Sequence, residues 1–148
     1  MIPKPNSLTW KSLYEYIERR IAGALEALEL IKREASTNGS AHMSTSLEHQ
    51  LEILQWCLPL VKEIQSHEDL QVICPIMNLE IIRLGCRSQD KQDRSSDFAW
   101  ITPVGSERYN LVRLGQKQSE TAEILWSYEG GISEIIEKVK TLIREICV

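Results

Sequence analysis

The sequence contains no stretch of about 18 uncharged apolar residues, so it predicts no transmembrane helix. It has no C-x-x-C pair and no H-x-x-x-H spacing, the patterns that most often bind zinc. The glycine-rich phosphate loops and the G-x-S-x-G nucleophile turn are also missing. The common motifs of nucleotide-binding proteins, α/β-hydrolases and zinc enzymes are therefore excluded. We expect no cofactor, no metal site and no catalytic group.

A surplus of basic residues is another absent feature, since the formal net charge is −4 at pH 7. This balance disfavours a general nucleic-acid binder or a protein that associates with anionic membranes. Hydrophobic residues make up 43% of the chain and charged residues 26%, which argues against disorder. At 148 residues, the chain is expected to form a single domain over residues 1–148.

The four cysteines are expected to be unpaired thiols, because Cys57 and Cys147 lie on apolar helical faces. The N-terminal segment becomes charged too early to resemble a secretory signal. These two features together predict a cytoplasmic protein.

Residues 7–66 are predicted to form a helical hairpin. An apolar stripe from Trp10 to Ile31 predicts a first helix that begins near Ser7 or Thr9 and ends around Ala35. A short polar loop follows, and two long helices joined in this way normally pack antiparallel.

The second helix is predicted over residues 47–64, which carry a broad apolar stripe. Thr45 and Glu48 have the spacing of a capping box, so the helix is expected to begin there. Pro59 removes one backbone hydrogen bond and predicts a kink or an end. The hairpin is expected to form a core from Ile17, Ile21, Leu25, Leu54 and Leu58.

Residues 76–148 are predicted to form a small sheet and a C-terminal helix. A helical turn is expected up to Cys74, and a strand from about Met77 to Cys86. Three strand-like runs follow, separated by turn signals at 105–106 and 115–118. In residues 120–129 the period-two alternation favours a strand, with a helix as the competing interpretation.

Gly130-Gly131 then precedes an apolar helical stripe from Ile132 to Ile146. The order of elements predicts an α+β fold. Its parts are an N-terminal long antiparallel helical hairpin and a small antiparallel β-meander of about four strands, backed by a C-terminal helix.

Two groups of polar residues are candidate sites. Asp90, Asp93 and Asp97 in the charged loop 87–97 have oxygen ligands for a divalent cation. The loop lacks the glycine and the terminal glutamate of a calcium-binding loop, so a solvated loop is favoured. The second group combines cations with aromatic rings that could stack on bases of a single strand, or contact another partner. Its members are Arg83, Arg108, Arg113, Trp100 and Tyr109.

The leading functional hypothesis is a non-enzymatic protein-interaction or regulatory module that acts through surface contacts, such as a small accessory subunit, adaptor or inhibitor. Its expected partner is another protein or a second copy of the chain, because the apolar faces of two long helices exceed what a small sheet can cover. The alternatives are a nucleic-acid-associated accessory subunit that uses the arginine-bearing sheet, and an enzyme whose site assembles only in three dimensions. No membrane partner is expected.

Overall fold

The computed structural model describes residues 9–34, 41–78, 80–87, 94–115 and 123–146. Three α-helices, one 3₁₀ helix and five strands are present in these ranges. In chain order they are α1 (Trp10–Glu34), α2 (Ala41–Gln65), the 3₁₀ helix (Glu68–Val72), β1 (Ile73–Asn78), β2 (Ile81–Arg87), β3 (Arg94–Gly105), β4 (Arg108–Leu114), β5 (Ile124–Gly130) and α3 (Ile132–Ile146).

The predicted α+β class is confirmed. The strands form one antiparallel sheet with the order β1-β2-β3-β4-β5, which makes β1 and β5 its edges. The sheet has five strands rather than four. β1 begins at Ile73, where a helical turn was expected up to Cys74, and Asn78 at its end pairs with Ile81 at the start of β2, so a hairpin interrupts the strand expected from Met77 to Cys86. Pro75 is accommodated in β1, since an edge strand leaves one side without ladder bonds. The strand interpretation of residues 120–129 is confirmed at Ile124–Gly130.

Thr9 begins α1, as one of the two predicted caps, because its Oγ1 accepts a hydrogen bond from the Ser12 N–H at 3.0 Å. The buried face of α1 differs from the predicted stripe at two turns of the helix. Leu13 and Ala24 are buried there, in place of the predicted Tyr14 and Leu25. Leu25 is exposed, so its expected place in the core is wrong, while Ile21 and Leu58 are only partly buried. The residues of α1 that are buried are Trp10, Leu13, Ile17, Ala24 and Leu28.

Helix α2 begins at Ala41, four residues before the predicted start. Thr45 therefore lies inside the helix, and the expected capping box is wrong. Ala41 and Met43 favour helix, which explains why the polar composition of this stretch was misleading. The helix also continues through Pro59 to Gln65 and does not end there. Cys57 and Leu60, on either side of the proline, are fully buried, so packing stabilises the helix at this point.

The core lies between the three helices and one face of the sheet. Ile82, Ile101 and Leu111 oppose one another across β2, β3 and β4, and all three are fully buried. Two side-chain hydrogen bonds connect distant elements through this core. The indole Nε1 of Trp10 donates to the Leu70 carbonyl at 3.1 Å, and the Tyr109 hydroxyl donates to the Trp56 carbonyl. Helix α3 completes the core with Ile135, Ile136, Val139, Leu142 and Ile143, as its stripe predicted.

The cysteines differ from the prediction. Cys57 and Cys74 are buried thiols, and burial raises the pKa of the Cys57 thiol to about 12. Cys86 is disulfide-bonded, so the expectation of four unpaired thiols is wrong. Spacing along the chain does not reveal which cysteines the fold brings together. Cys147 lies outside the described residues.

No helix within the described ranges is both long enough and apolar enough to cross a membrane.

Candidate functional site

Arg83 and Trp100 lie opposite each other on β2 and β3, on the sheet face that points away from the helices. Both donate to the same carboxylate oxygen. Arg83 Nε lies 2.7 Å from Asp97 Oδ2, and Trp100 Nε1 lies 3.3 Å from it. The guanidinium of Arg83 is therefore already neutralised by a largely buried carboxylate, and it is less available for a phosphate than an unpaired arginine would be.

Arg108 is neutralised in the same way. Its Nη2 and Nε lie 2.9 and 3.2 Å from Glu129 Oε2, across β4 and β5. Both side chains of this pair are exposed, so the pair contributes little to stability. Its effect is to cancel charge on this part of the surface.

Arg113 and Tyr109 lie on the other face of the sheet, because each is two residues away from the buried Leu111 along β4 and therefore shares its face. Tyr109 is fully buried, and burial raises the pKa of its hydroxyl well above the usual range. This burial argues against the predicted contact of Tyr109 with a base or a partner. The five predicted contact residues therefore do not form one stacking surface. Arg113 Nη1 donates to the Leu114 carbonyl at 2.9 Å.

The predicted ion site of the loop 87–97 is described only in part. Asp97 belongs to β3 and pairs with Arg83, whereas Asp90 and Asp93 lie outside the described residues. Within the described ranges, no three histidine, cysteine, aspartate or glutamate side chains are grouped closely enough to bind a metal ion.

A cavity of about 380 Å³ opens between α1, α2 and the start of β2. Its apolar lining comes from Ile53, Leu54 and Ile81, and its polar lining from Arg20, Gln50, Glu80 and Thr102. Two of these polar groups are already engaged. Arg20 Nη1 donates to the Tyr16 hydroxyl at 3.0 Å, and Glu80 Oε1 lies 3.5 Å from His49 Nε2. The cavity has the size and composition of a small-molecule pocket, with binding groups of both charges.

The most unusual surface of the molecule is the edge strand β5. Ile124 exposes 60% of its surface, Leu125 50% and Trp126 38%, in three consecutive positions. No other strand of the described chain pairs with the outer side of β5. An exposed apolar edge with unpaired backbone groups is a template for another strand, and proteins usually protect such edges with charge, proline or covering elements.

Helix α3 forms one wall of a groove beside this edge. The ammonium of Lys138 lies 4.6 Å from the ring centre of Tyr128 and 5.9 Å from that of Trp126. Such distances allow cation–π attraction. The groove has a volume of about 420 Å³ and is lined by Tyr128, Ser133, Glu134, Glu137, Lys138 and Thr141. We refer to β5 and this groove together as the β5–α3 edge.

Glu134 connects the C-terminal end of β5 to the first turn of α3. It accepts the Gly131 N–H at 3.0 Å and the Tyr128 hydroxyl at 2.7 Å. The first bond lowers the pKa of the carboxyl, and the second lowers it further. The same Glu134 contact raises the pKa of Tyr128. A side chain at Gly130 would meet the Tyr128 ring at 2.7 Å, so this tight arrangement requires glycine.

Sequence reasoning missed the β5–α3 edge. The period-two pattern of residues 120–129 predicted the strand, but it did not show that Ile124, Leu125 and Trp126 are all exposed. A useful signal was available in the order of elements. In a simple meander the last strand is an edge, so the apolar residues of this run had to be exposed, covered by a later segment, or bound to a partner.

Comparisons of this chain with protein-family models, with curated proteins and with solved structures found no match.

Proposed function

We propose that the protein is a non-enzymatic interaction module, such as a small accessory subunit, adaptor or inhibitor, and that it binds a protein chain through the β5–α3 edge. The observation that carries this proposal is the exposure of Ile124, Leu125 and Trp126 on an edge strand. Strand addition suits this surface, because backbone hydrogen bonds supply affinity and alternate side chains enter the adjoining groove.

The position of tryptophan also supports the proposal. Tryptophan is enriched among the residues that dominate binding energy at protein interfaces. Trp126 is the exposed tryptophan among those described, whereas Trp10 is buried and Trp56 and Trp100 are partly buried. Covering the apolar surface of β5 would contribute roughly 25 cal/mol for each Å² removed from water.

The nucleic-acid alternative has less support from the geometry. Arg83 and Arg108 pair with Asp97 and Glu129, and Tyr109 is buried. The enzyme alternative has the 380 Å³ cavity as its best location.

The test compares three variants with the wild-type chain, in the cells that produce it. I124K/L125K adds charge to the β5 edge at two residues that tolerate it, because both are at least half exposed. The matched control is V72K/V104K, which changes exposed apolar residues elsewhere (43% and 47% exposed). The third variant, R83Q/R108Q/R113Q, removes the predicted nucleic-acid contacts.

The proposal predicts that the protein complex survives nuclease treatment, persists in V72K/V104K and in the arginine variant, and is lost in I124K/L125K. An association that disappears in the arginine variant together with bound nucleic acid, and that weakens steeply with salt, would support the alternative instead. Folding of each variant is checked by its thermal unfolding.

The cytoplasmic location remains a proposal as well. The buried thiols of Cys57 and Cys74 support it, whereas the disulfide at Cys86 is more typical of an oxidising compartment. Counting thiols in denaturant without reductant distinguishes the two. Four thiols per chain support the cytoplasm, and two contradict it.

A further inference from the structure

We infer that the cavity of about 380 Å³ between α1, α2 and the start of β2 binds a small amphipathic carboxylate, a molecule with one carboxylate head and an apolar tail. The head pairs with Arg20, and the tail covers Ile53, Leu54 and Ile81. This site uses elements other than β5 and α3, so the inference goes beyond the proposed function and does not depend on it.

Arg20 provides the positive charge of this site. Its Nη1 donates to the Tyr16 hydroxyl at 3.0 Å, and its Cζ lies 5.7 Å from the centre of the Tyr16 ring. These contacts hold the guanidinium in place along α1, but they do not neutralise it. Among the described residues no carboxylate forms an ion pair with Arg20, in contrast to Arg83 and Arg108. A half-buried guanidinium with N–H donors to spare is well suited to bind a carboxylate through two hydrogen bonds.

The apolar part of the lining explains why the ligand needs a tail. Ile53 and Leu54 come from α2, and Ile81 is the first residue of β2. A second cavity of about 230 Å³ adjoins the first, because Arg20, Gln50 and Leu54 line both. The larger cavity alone is within the size range of small-molecule sites. Each CH₂ group of a ligand that is removed from water here should tighten binding by up to about fourfold.

Glu80 limits the charge of the ligand. It lines the same cavity, and its Oε1 lies 3.5 Å from His49 Nε2. The lining of the 380 Å³ cavity therefore combines one arginine with one carboxylate. A single negative charge on the ligand is attracted by Arg20, whereas each further negative charge is repelled by Glu80. This balance favours a monocarboxylate over a phosphate or a dicarboxylate.

The experiment titrates the purified full chain with octanoate, with the shorter butanoate and with octylammonium, which has the octyl tail and the opposite charge. Calorimetry measures the affinities, and NMR follows the side-chain N–H signals of Arg20 and Gln50. The variants are R20Q and E80Q. R33Q is the matched control, because Arg33 is an exposed arginine of the same helix that does not line the cavity. Thermal unfolding checks that each variant is folded.

The inference predicts that octanoate binds and shifts the Arg20 signal, that butanoate binds more weakly, and that octylammonium does not bind. R20Q should weaken octanoate binding by about tenfold or more, because a hydrogen-bonded ion pair is lost. R33Q should leave the affinity unchanged, and E80Q should raise it.

A wild-type chain that does not bind octanoate would overturn the inference, and so would equal binding of octylammonium. An R20Q variant that binds octanoate as tightly as the wild type would show that Arg20 does not hold the head, and an affinity lowered in E80Q would contradict the repulsion assigned to Glu80. If R20Q does not fold, the two octyl probes and the Arg20 signal of the wild type decide the question.

Discussion

The two edge strands of the sheet have similar compositions and opposite environments. β1 reads ICPIMN and β5 reads ILWSYEG, so both are rich in apolar side chains. In β1 the residues Ile73, Cys74 and Pro75 are buried, whereas in β5 the first four residues are all exposed. A difference in hydrophobicity cannot explain this contrast.

The contrast comes from what covers each edge. The 3₁₀ helix leads directly into β1, and Leu70 of that helix is fixed to α1 by the indole of Trp10. Pro75 also hinders the addition of another strand to β1, because proline has no backbone N–H to donate. Helix α3, which follows β5, directs its apolar stripe into the common core and presents only polar residues to the β5 groove. Within the described chain, one edge is therefore covered, while the apolar residues of the other are exposed, and this asymmetry is what the proposed binding surface rests on.

The largest expected difference between the edges is in stability. Ile73→Ala removes a fully buried side chain and should lower the free energy of unfolding by about 2–5 kcal/mol. Ile124→Ala makes the same change at the exposed edge and should cost less than about 0.5 kcal/mol in the monomer. Denaturant unfolding at low protein concentration measures both values. Equal losses at the two positions would show that β5 is packed in solution, and the comparison would then be wrong.

The sequence predicted most of the architecture, because periodicity reports local structure well. The stripe of α3 and the strand at 124–130 follow directly from the spacing of apolar residues. Errors arose where tertiary contacts decide. Leu25 matches the helical stripe of α1, yet it is exposed, because the buried residue on this turn of the helix is the preceding one, Ala24. The hairpin at Asn78 and Ile81 was missed because the run MNLEI at 77–81 contains neither glycine nor proline and so gives no strong turn signal.

The candidate site was harder to predict than the fold. Arg83 and Arg108 were chosen for their charge, but an ion pair depends on which strands are neighbours, and register cannot be read from one strand alone. Tyr109 was chosen for its ring, although the alternation along β4 already placed it on the same face as Leu111. The exposure of Ile124, Leu125 and Trp126 depends on which elements pack beside β5, and the local pattern of the strand does not encode that packing.

The next effect concerns the two tyrosines of β4 and β5. Tyr109→Phe removes a buried hydroxyl that donates to the Trp56 carbonyl, and it should cost about 1 kcal/mol. Tyr128→Phe removes an exposed hydroxyl that donates to Glu134, and little change in stability is expected at neutral pH. Thermal or denaturant unfolding provides the measurement, with Tyr14→Phe as a control in α1. A larger loss at Tyr128 than at Tyr109 would contradict the assignment of the core.

The smallest effect is a dependence on pH at the β5 end of the sheet. The folded protein lowers the pKa of Glu134, so its contribution to stability is present above the unfolded pKa and is lost as pH falls through the folded value. In E134Q the amide can still accept the Gly131 N–H, as glutamine does in capping boxes, but it carries no charge to lose. The difference in melting temperature between wild type and E134Q should therefore shrink on acidification below about pH 4.3, the ordinary pKa of glutamate. Glu123→Gln, also at the β5 edge, provides the control. A wild-type protein and an E134Q variant that respond identically to acid would show that the Gly131–Glu134–Tyr128 contacts do not persist in solution, and the β5–α3 groove would lose its fixed end.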